Sequence, residues 1–192
     1  DIPYIAYCGT ATNYKDGVDI LLKAFSILKR DYKEPLKLHI YGKVPSQEEK
    51  QANDKLIDNL SIAKDVEYKG VVSATDMPQL LTNASVLALA RPNNIQAKYG
   101  FPTKLGEYLL SGNPVVVTTV GDIPLYLKDG DNALLAEPNN PQAVADKIFW
   151  VLTHPEDLHR IGIRGRETAM KYFNANTEAE HLLNIIQSDK KL

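Results

Sequence analysis

The chain has 192 residues, of which 44% are hydrophobic and 24% charged, enough for one ordinary core and one domain. A net charge of -2 gives no ground for nucleic-acid or other polyanion binding, and no apolar run approaches the roughly 18 residues that cross a bilayer. Cys8 is the single cysteine, so neither a disulfide framework nor a thiolate metal site is available, and a reducing compartment fits.

The chain opens in strand-like sequence, "IPYIAYCG", with neither an initiator Met nor a signal peptide, as expected for a domain excised from a longer protein with a segment before Asp1. "GVDILLKAFSILKR" carries Val18, Leu21, Leu22, Phe25 and Leu28 near a 3.6-residue period and predicts a helix. "LKLHIYG" alternates and ends at Gly42, a second strand. "SQEEKQANDKLIDNLSI" predicts a polar-faced helix capped by Ser46. A third strand ("VEYKG"), a short helix ("SATDMPQLLTNA") and a buried strand ("SVLALA") follow. The loop "RPNNIQAKYGFP" leads into an amphipathic helix that stops at Ser111-Gly112 before Pro114. Then come a buried strand ("PVVVT"), a short helix ("DIPLYL") that Asp122 can cap, and a sixth strand ("NALLAE"). Three further helices close the chain, the terminal one within 174–192; Phe149 and Trp150 read as core. The two Asn-X-Ser sequons, at Asn59 and Asn83, read as chance.

Strands spaced by helices give βαβ units. The predicted fold class is α/β, a Rossmann-like doubly wound parallel sheet of about six strands in a single domain over 1–192. Ligands in such sheets lie beyond the carboxyl ends of the strands, so the residues following each strand are the candidates. "GTATNYKDG", after the first strand, is neither G-x-G-x-x-G nor a Walker A loop. Gly9, Thr10, Thr12 and Lys15 before a helix suit an anion, although the local sequence by itself favours an ordinary glycine turn beside a solvated lysine. Gly42 allows close approach of a ligand or simply ends its strand. In "KYGFPTKLGEYLLSGNPVVVT" Gly100 and Pro102 shape a turn, Thr103 can cap the helix, and Glu107 shares a face with Thr103. Loop N–H groups there suit phosphate, and a carboxylate there can accept two ribose hydroxyls. His39, His154, His159 and His181 pair with no nucleophile or metal-ligand pattern and read as surface or packing residues.

"GFPTKLGEYLLSGNPVVVT" resembles the donor-site signature of retaining glycosyltransferases of the GT-B fold, the group 1 family that includes sucrose-phosphate synthases and bacterial polysaccharide transferases. "KDGVDILLKAF", "LHIYGKVP", "VEYKGVVSATDMPQLLTNASVLAL" and "VGDIPLYLKDGDNALLAEPNNPQAVADKI" resemble its other segments in the same order. The resemblance implies one half of a two-domain enzyme: the C-terminal, nucleotide-sugar-binding domain, whose acceptor-binding partner domain precedes Asp1. It implies that Glu107 bonds the donor ribose, that the segment Tyr99, Gly100, Phe101, Thr103 and Leu105 holds the diphosphate through backbone N–H groups, and that Lys15 and Lys104 neutralise phosphate charge. Gly9, Thr10 and Gly42 would line the donor site, and the base would lie beside Val71 and Val72. Two positions depart from the family pattern: Thr10 stands where an arginine is usual, and Tyr99 where a glutamate usually contacts the donor sugar.

The implied substrate is a UDP- or GDP-sugar, with no cofactor and no metal. The implied partner is a glycan or lipid-linked acceptor bound by the other half. The resemblance also implies a cytoplasmic location, with possible peripheral attachment of the full-length enzyme to the inner membrane face. Two alternatives stand beside it, a GT-B nucleotide-sugar epimerase and a non-catalytic α/β binding module.

Overall fold

The computed structural model describes residues 2–189. Six strands form one parallel sheet: β1 (Tyr4–Cys8), β2 (Lys37–Tyr41), β3 (Val66–Gly70), β4 (Val86–Leu89), β5 (Val115–Thr118) and β6 (Leu134–Ala136). Their spatial order is β3-β2-β1-β4-β5-β6. The chain winds outward from β1 to one edge, returns, and winds outward from β4 to the other. Every residue of β4 and β5 is buried, as strands covered by helices on both faces must be.

The helices are α1 (Asn13–Asp16), α2 (Val18–Asp31), α3 (Gln47–Asn59), α4 (Met77–Asn83), α5 (Ile95–Tyr99), α6 (Lys104–Leu110), α7 (Ile123–Tyr126), α8 (Pro141–Thr153), α9 (Pro155–Tyr172) and α10 (Ala175–Asp189). In α2 the predicted stripe is the buried one: Leu21, Leu22, Phe25 and Leu28 are at most 1% exposed, each contributing about 1.5–3 kcal/mol of burial. That stripe packs against α8, while α6 packs against α9. Ser46 caps α3 as expected, its hydroxyl accepting the Glu49 N–H at 3.2 Å. Asn140 caps α8 in the same way.

Several expectations are corrected. The loop before α6 contains α5, whose first turn is closed by the Asn94 side chain accepting the Ala97 N–H at 2.9 Å. The four-residue helix α1 was likewise not expected. Thr103 does not cap α6: its own backbone is helical (φ -56°, ψ -34°) and its hydroxyl accepts no N–H, whereas a capping residue has to stand in an extended conformation. Asp122 precedes α7 without a side-chain cap. Phe149 is exposed rather than core, edge-on to Tyr32. Trp150, half-buried, stacks on His154, which sits at the α8–α9 junction and not within a helix. His39 lies in β2 and stacks on Tyr4. His181 is in α10, with its side chain outside the described residues, as are 190–192 of the expected terminal helix.

Candidate functional site

The order of the sheet reverses between β1 and β4, and such a reversal opens a crevice at the carboxyl ends of the two strands. Two segments flank it, 9–17 after β1 and 90–103 after β4. Buried Arg91 joins them: its guanidinium donates to the carbonyls of Lys15 and Gly100. Asn94 donates to the Tyr14 carbonyl. From α3, Glu49 accepts the Asn13 N–H and Asn53 donates to the Ala11 carbonyl. The first segment, whose own regular structure is the single turn of α1, is thus held largely by its neighbours.

Lys104, the first residue of α6, reaches across this seam. Its ammonium lies 2.6 Å from Asp16 Oδ2 and 3.1 Å from Tyr7 Oη, over the Tyr7 ring. Tyr7 Oη is 2.7 Å from both Asp16 Oδ2 and the Thr10 carbonyl, so its single proton serves one acceptor at a time. Burial lowers the Lys104 pKa, the charge and hydrogen bond of Asp16 oppose that, and Lys15 reinforces it. Burial and the Asp16 carboxylate together push Tyr7 far above the usual phenol range, so it remains a donor. A Cβ on Gly9 would stand 2.3 Å from Lys104 Nζ; the ammonium fills the space a side chain would need. Gly9 also explains Gly42, whose φ is +128° and whose Cβ would meet the Gly9 carbonyl oxygen at 2.2 Å. The Gly9 backbone thus approaches Gly42 closely enough to require a glycine there.

Lys104 and Glu107 leave the same turn of α6 in different directions. Lys104 is largely buried against the Gly9 loop, whereas Glu107 is exposed and lines a cavity of about 720 Å³ with Val72, Met77, Leu81, Ser111 and Arg166. The cavity is apolar along α4 and bears a carboxylate and a guanidinium, a composition suited to a ligand with one flat apolar part and several hydroxyls. A cleft of about 440 Å³ at the other end of the strands, lined by Pro3, Ser85, Asn113 and His159, offers neither a carboxylate nor a lysine.

The remaining candidates divide. Lys15 is exposed in the last turn of α1, close enough to Lys104 for its charge to be felt. Thr10 is exposed, and its carbonyl is the Tyr7 acceptor. Val71 is 71% exposed and Val72 half-buried, both beyond β3. Tyr99 is 79% exposed with Lys98 over its ring. Gly100 offers its carbonyl to Arg91. Phe101 instead joins an aromatic cluster with Tyr126 and Phe173, at centroid distances of 5.6 and 5.2 Å. Leu105 is fully buried and its N–H bonds the Pro102 carbonyl, so it presents no group to a ligand. The Gly106 N–H is taken by Thr103, while those of Thr103 and Lys104 have no acceptor among the described residues. Sequence reasoning missed Tyr7, Asp16, Arg91 and Arg166. The first three are buried polar groups tied in part to residues far away in the chain, Tyr7 and Asp16 to Lys104 and Arg91 to Lys15; Arg166, on α9, had a local signal, as an arginine flanked by Gly165 and Glu167.

Residues 1–168 match the family described as "Glycosyl transferases group 1". The chain belongs to that family. It is 28% identical over 156 residues to an uncharacterized glycosyltransferase of Methanocaldococcus jannaschii, covering 81% of this chain and 40% of that one. It is 27% identical over 172 residues to the MMP alpha-(1->4)-mannosyltransferase of Mycolicibacterium hassiacum, covering 89% and 39%. The chain thus spans about two fifths of the length of the curated relatives it matches. The Anabaena protein HepE, solved in complex with UDP and glucose, superposes with a TM-score of 0.84 at 20% identity, over 96% of this chain and 48% of its own. That likeness establishes the fold, a Rossmann-like α/β domain of the GT-B type. Among the described residues no helix is long and apolar enough to cross a membrane, and no group of three or more His, Cys, Asp or Glu could hold a metal ion.

Proposed function

We propose that this group 1 glycosyltransferase chain is the donor-binding half of a two-domain enzyme. It would take a nucleoside-diphosphate sugar and pass the glycosyl group, with retention, to a glycan or lipid-linked acceptor held by a preceding domain. The observation that carries the reading is that one turn of α6 supplies both Lys104, packed against the Gly9 loop at the β1–β4 crevice, and Glu107, lining the cavity beside α4. In this reading Glu107 accepts the two ribose hydroxyls, the base lies beside Val71 and Val72, and the diphosphate lies over Gly9 and Thr10. Lys15, Lys104 and the free N–H groups at Thr103 and Lys104 face the diphosphate. Negative charge grows on the diphosphate as the glycosyl bond breaks, and prepositioned cations and N–H groups stabilise it as it develops. The HepE complex with UDP and glucose supports a uridine donor by analogy of fold.

Calorimetric titration of the chain with UDP, GDP and ADP, without and then with magnesium, tests this reading. Binding of one nucleotide without metal is expected, weakened about tenfold by Glu107→Gln through loss of charged hydrogen bonds. Undiminished affinity in a folded Glu107→Gln chain would remove the ribose role.

A further inference from the structure

Asp16 is the most constrained carboxylate of the seam, and the donor reading gives it no task. It is 3% exposed. Its Oδ2 accepts from both Lys104 and Tyr7, while its Oδ1 is buried without a hydrogen-bond partner. A carboxylate that only knitted the fold together would be expected to use both oxygens, since an unpaired buried acceptor is unfavourable.

The charges around it are unequal. Lys104 pairs with it directly, and Arg91, whose carbonyl partners neutralise nothing, feels its charge. Lys15 stands close enough to act on Lys104. Lys104 and Arg91 thus act on Asp16 directly and Lys15 acts on Lys104, while the loop's other carboxylate contact, Glu49, is taken up by the Asn13 N–H. An ammonium buried near another cation, as Lys104 is near Lys15, tends to shed its proton unless a counter-charge is fixed next to it. Asp16 supplies that charge, and Lys104 Nζ lies in the space a Gly9 side chain would occupy, packed against the Gly9 loop.

We propose that Asp16 is a positioning residue that holds Lys104 charged beneath Gly9, where it meets the diphosphate of the donor. The proposal rests on the donor-site reading above. The groups bearing on Lys104 are Tyr7 and Cys8 of β1, Lys15 and Asp16 of α1, Arg91 after β4 through its interaction with Asp16, and Tyr108 and Glu107 of α6 through theirs with Cys8. Asp16 is the carboxylate in direct contact.

The wild-type chain, Asp16→Asn and Lys104→Met are titrated by calorimetry with UDP, GDP and ADP from pH 6 to 9.5. For the diphosphate that binds, Lys104→Met is expected to weaken affinity at every pH. Asp16→Asn should weaken it about tenfold above pH 8 and much less at pH 6, because the unsupported ammonium loses its proton at lower pH. A purely structural carboxylate would lower affinity evenly across the range. If Lys104→Met is weakened while Asp16→Asn keeps the wild-type affinity and pH profile, the role of Asp16 is overturned and the donor site stands. If none of the three diphosphates binds the wild-type chain, the donor site falls and the proposal with it. A measurement on the wild-type chain guards against misfolded variants: the lysine Cε resonance of Lys104 should titrate at higher pH once the diphosphate is bound. An unchanged titration under saturating ligand overturns the contact.

Discussion

Replacing Gly162 by alanine sets two effects of opposite sign against each other. Gly162 lies within α9, where alanine is favoured over glycine by about 1 kcal/mol. The structure sets steric cost against this gain: a Cβ at Gly162 would stand 1.9 Å from the backbone oxygen of Gly112 and 2.8 Å from its carbon. Both partners are backbone, so no side chain can swing away, and the turn has to retreat by about 1.5 Å to restore ordinary contact. Overpacking of this kind costs about 3 kcal/mol or more, which leaves a net loss of about 2 kcal/mol, or roughly 4–8 °C in Tm for a chain of this size. Thermal and urea denaturation followed by circular dichroism measure it. Gly112 ends the turn after α6, so nucleotide affinity should fall alongside stability. A Gly162→Ala chain with an unchanged or raised Tm would refute the steric argument and leave helix propensity as the winner.

Arg91→Met should cost about 1–3 kcal/mol, because it unties the carbonyls of Lys15 and Gly100, and should weaken diphosphate binding. Urea midpoints and calorimetry report the two separately, and no change in either would mean that the loops hold together without the guanidinium. Asn113 donates to the carbonyls of Leu81, Thr82 and Ala84 at 2.7, 2.7 and 2.8 Å. Asn113→Ala should therefore cost about 2 kcal/mol in urea denaturation, with little effect on nucleotide affinity. Burial holds the His39 pKa below its usual 6.5, with Lys69 adding to the effect and Glu67 opposing it. As pH falls below that value the unfolded chain takes up a proton that the folded chain resists, so stability present at neutral pH is lost down to the folded pKa and is level beneath it. Urea midpoints at pH 7 and pH 5 should differ less in His39→Gln than in the wild type; equal differences would exclude His39 as the source.

The alternation of buried strands and helices was legible because each step had a local cause. β4 and β5 are unbroken apolar runs, and α2 shows its stripe within its own 14 residues. Ser46 could be read as a cap because its acceptor role is satisfied three residues on. The helices α1 and α5 were not legible, since four or five residues are too few to display a period, although Asn94 did offer a capping signal before α5. Lys104 stood out by its place in the motif, but its tie to Asp16, 88 positions away, is invisible in "KDG". Arg91 was hidden for another reason: its partners are carbonyl oxygens, which every residue has. The Thr103 cap and a free Leu105 N–H were not to be had, because the phase at which α6 begins decides which groups its first turn presents.

The central pairing has a consequence for the stability of the charged loop. β1 meets β4 with Ile5 opposite Val86 and Ala6 opposite Leu87, so the two halves of the sheet are joined by a contact spanning most of the first half of the chain. Contacts of such long range carry a large loop-closure entropy. Asp16, which follows β1, obtains its lysine from α6, which follows β4, so the ion pair requires both halves of the sheet in place. The charged loop is thus complete only when β1 and β4 are paired, and a nucleotide bound to it would stabilise the chain against reopening at that seam.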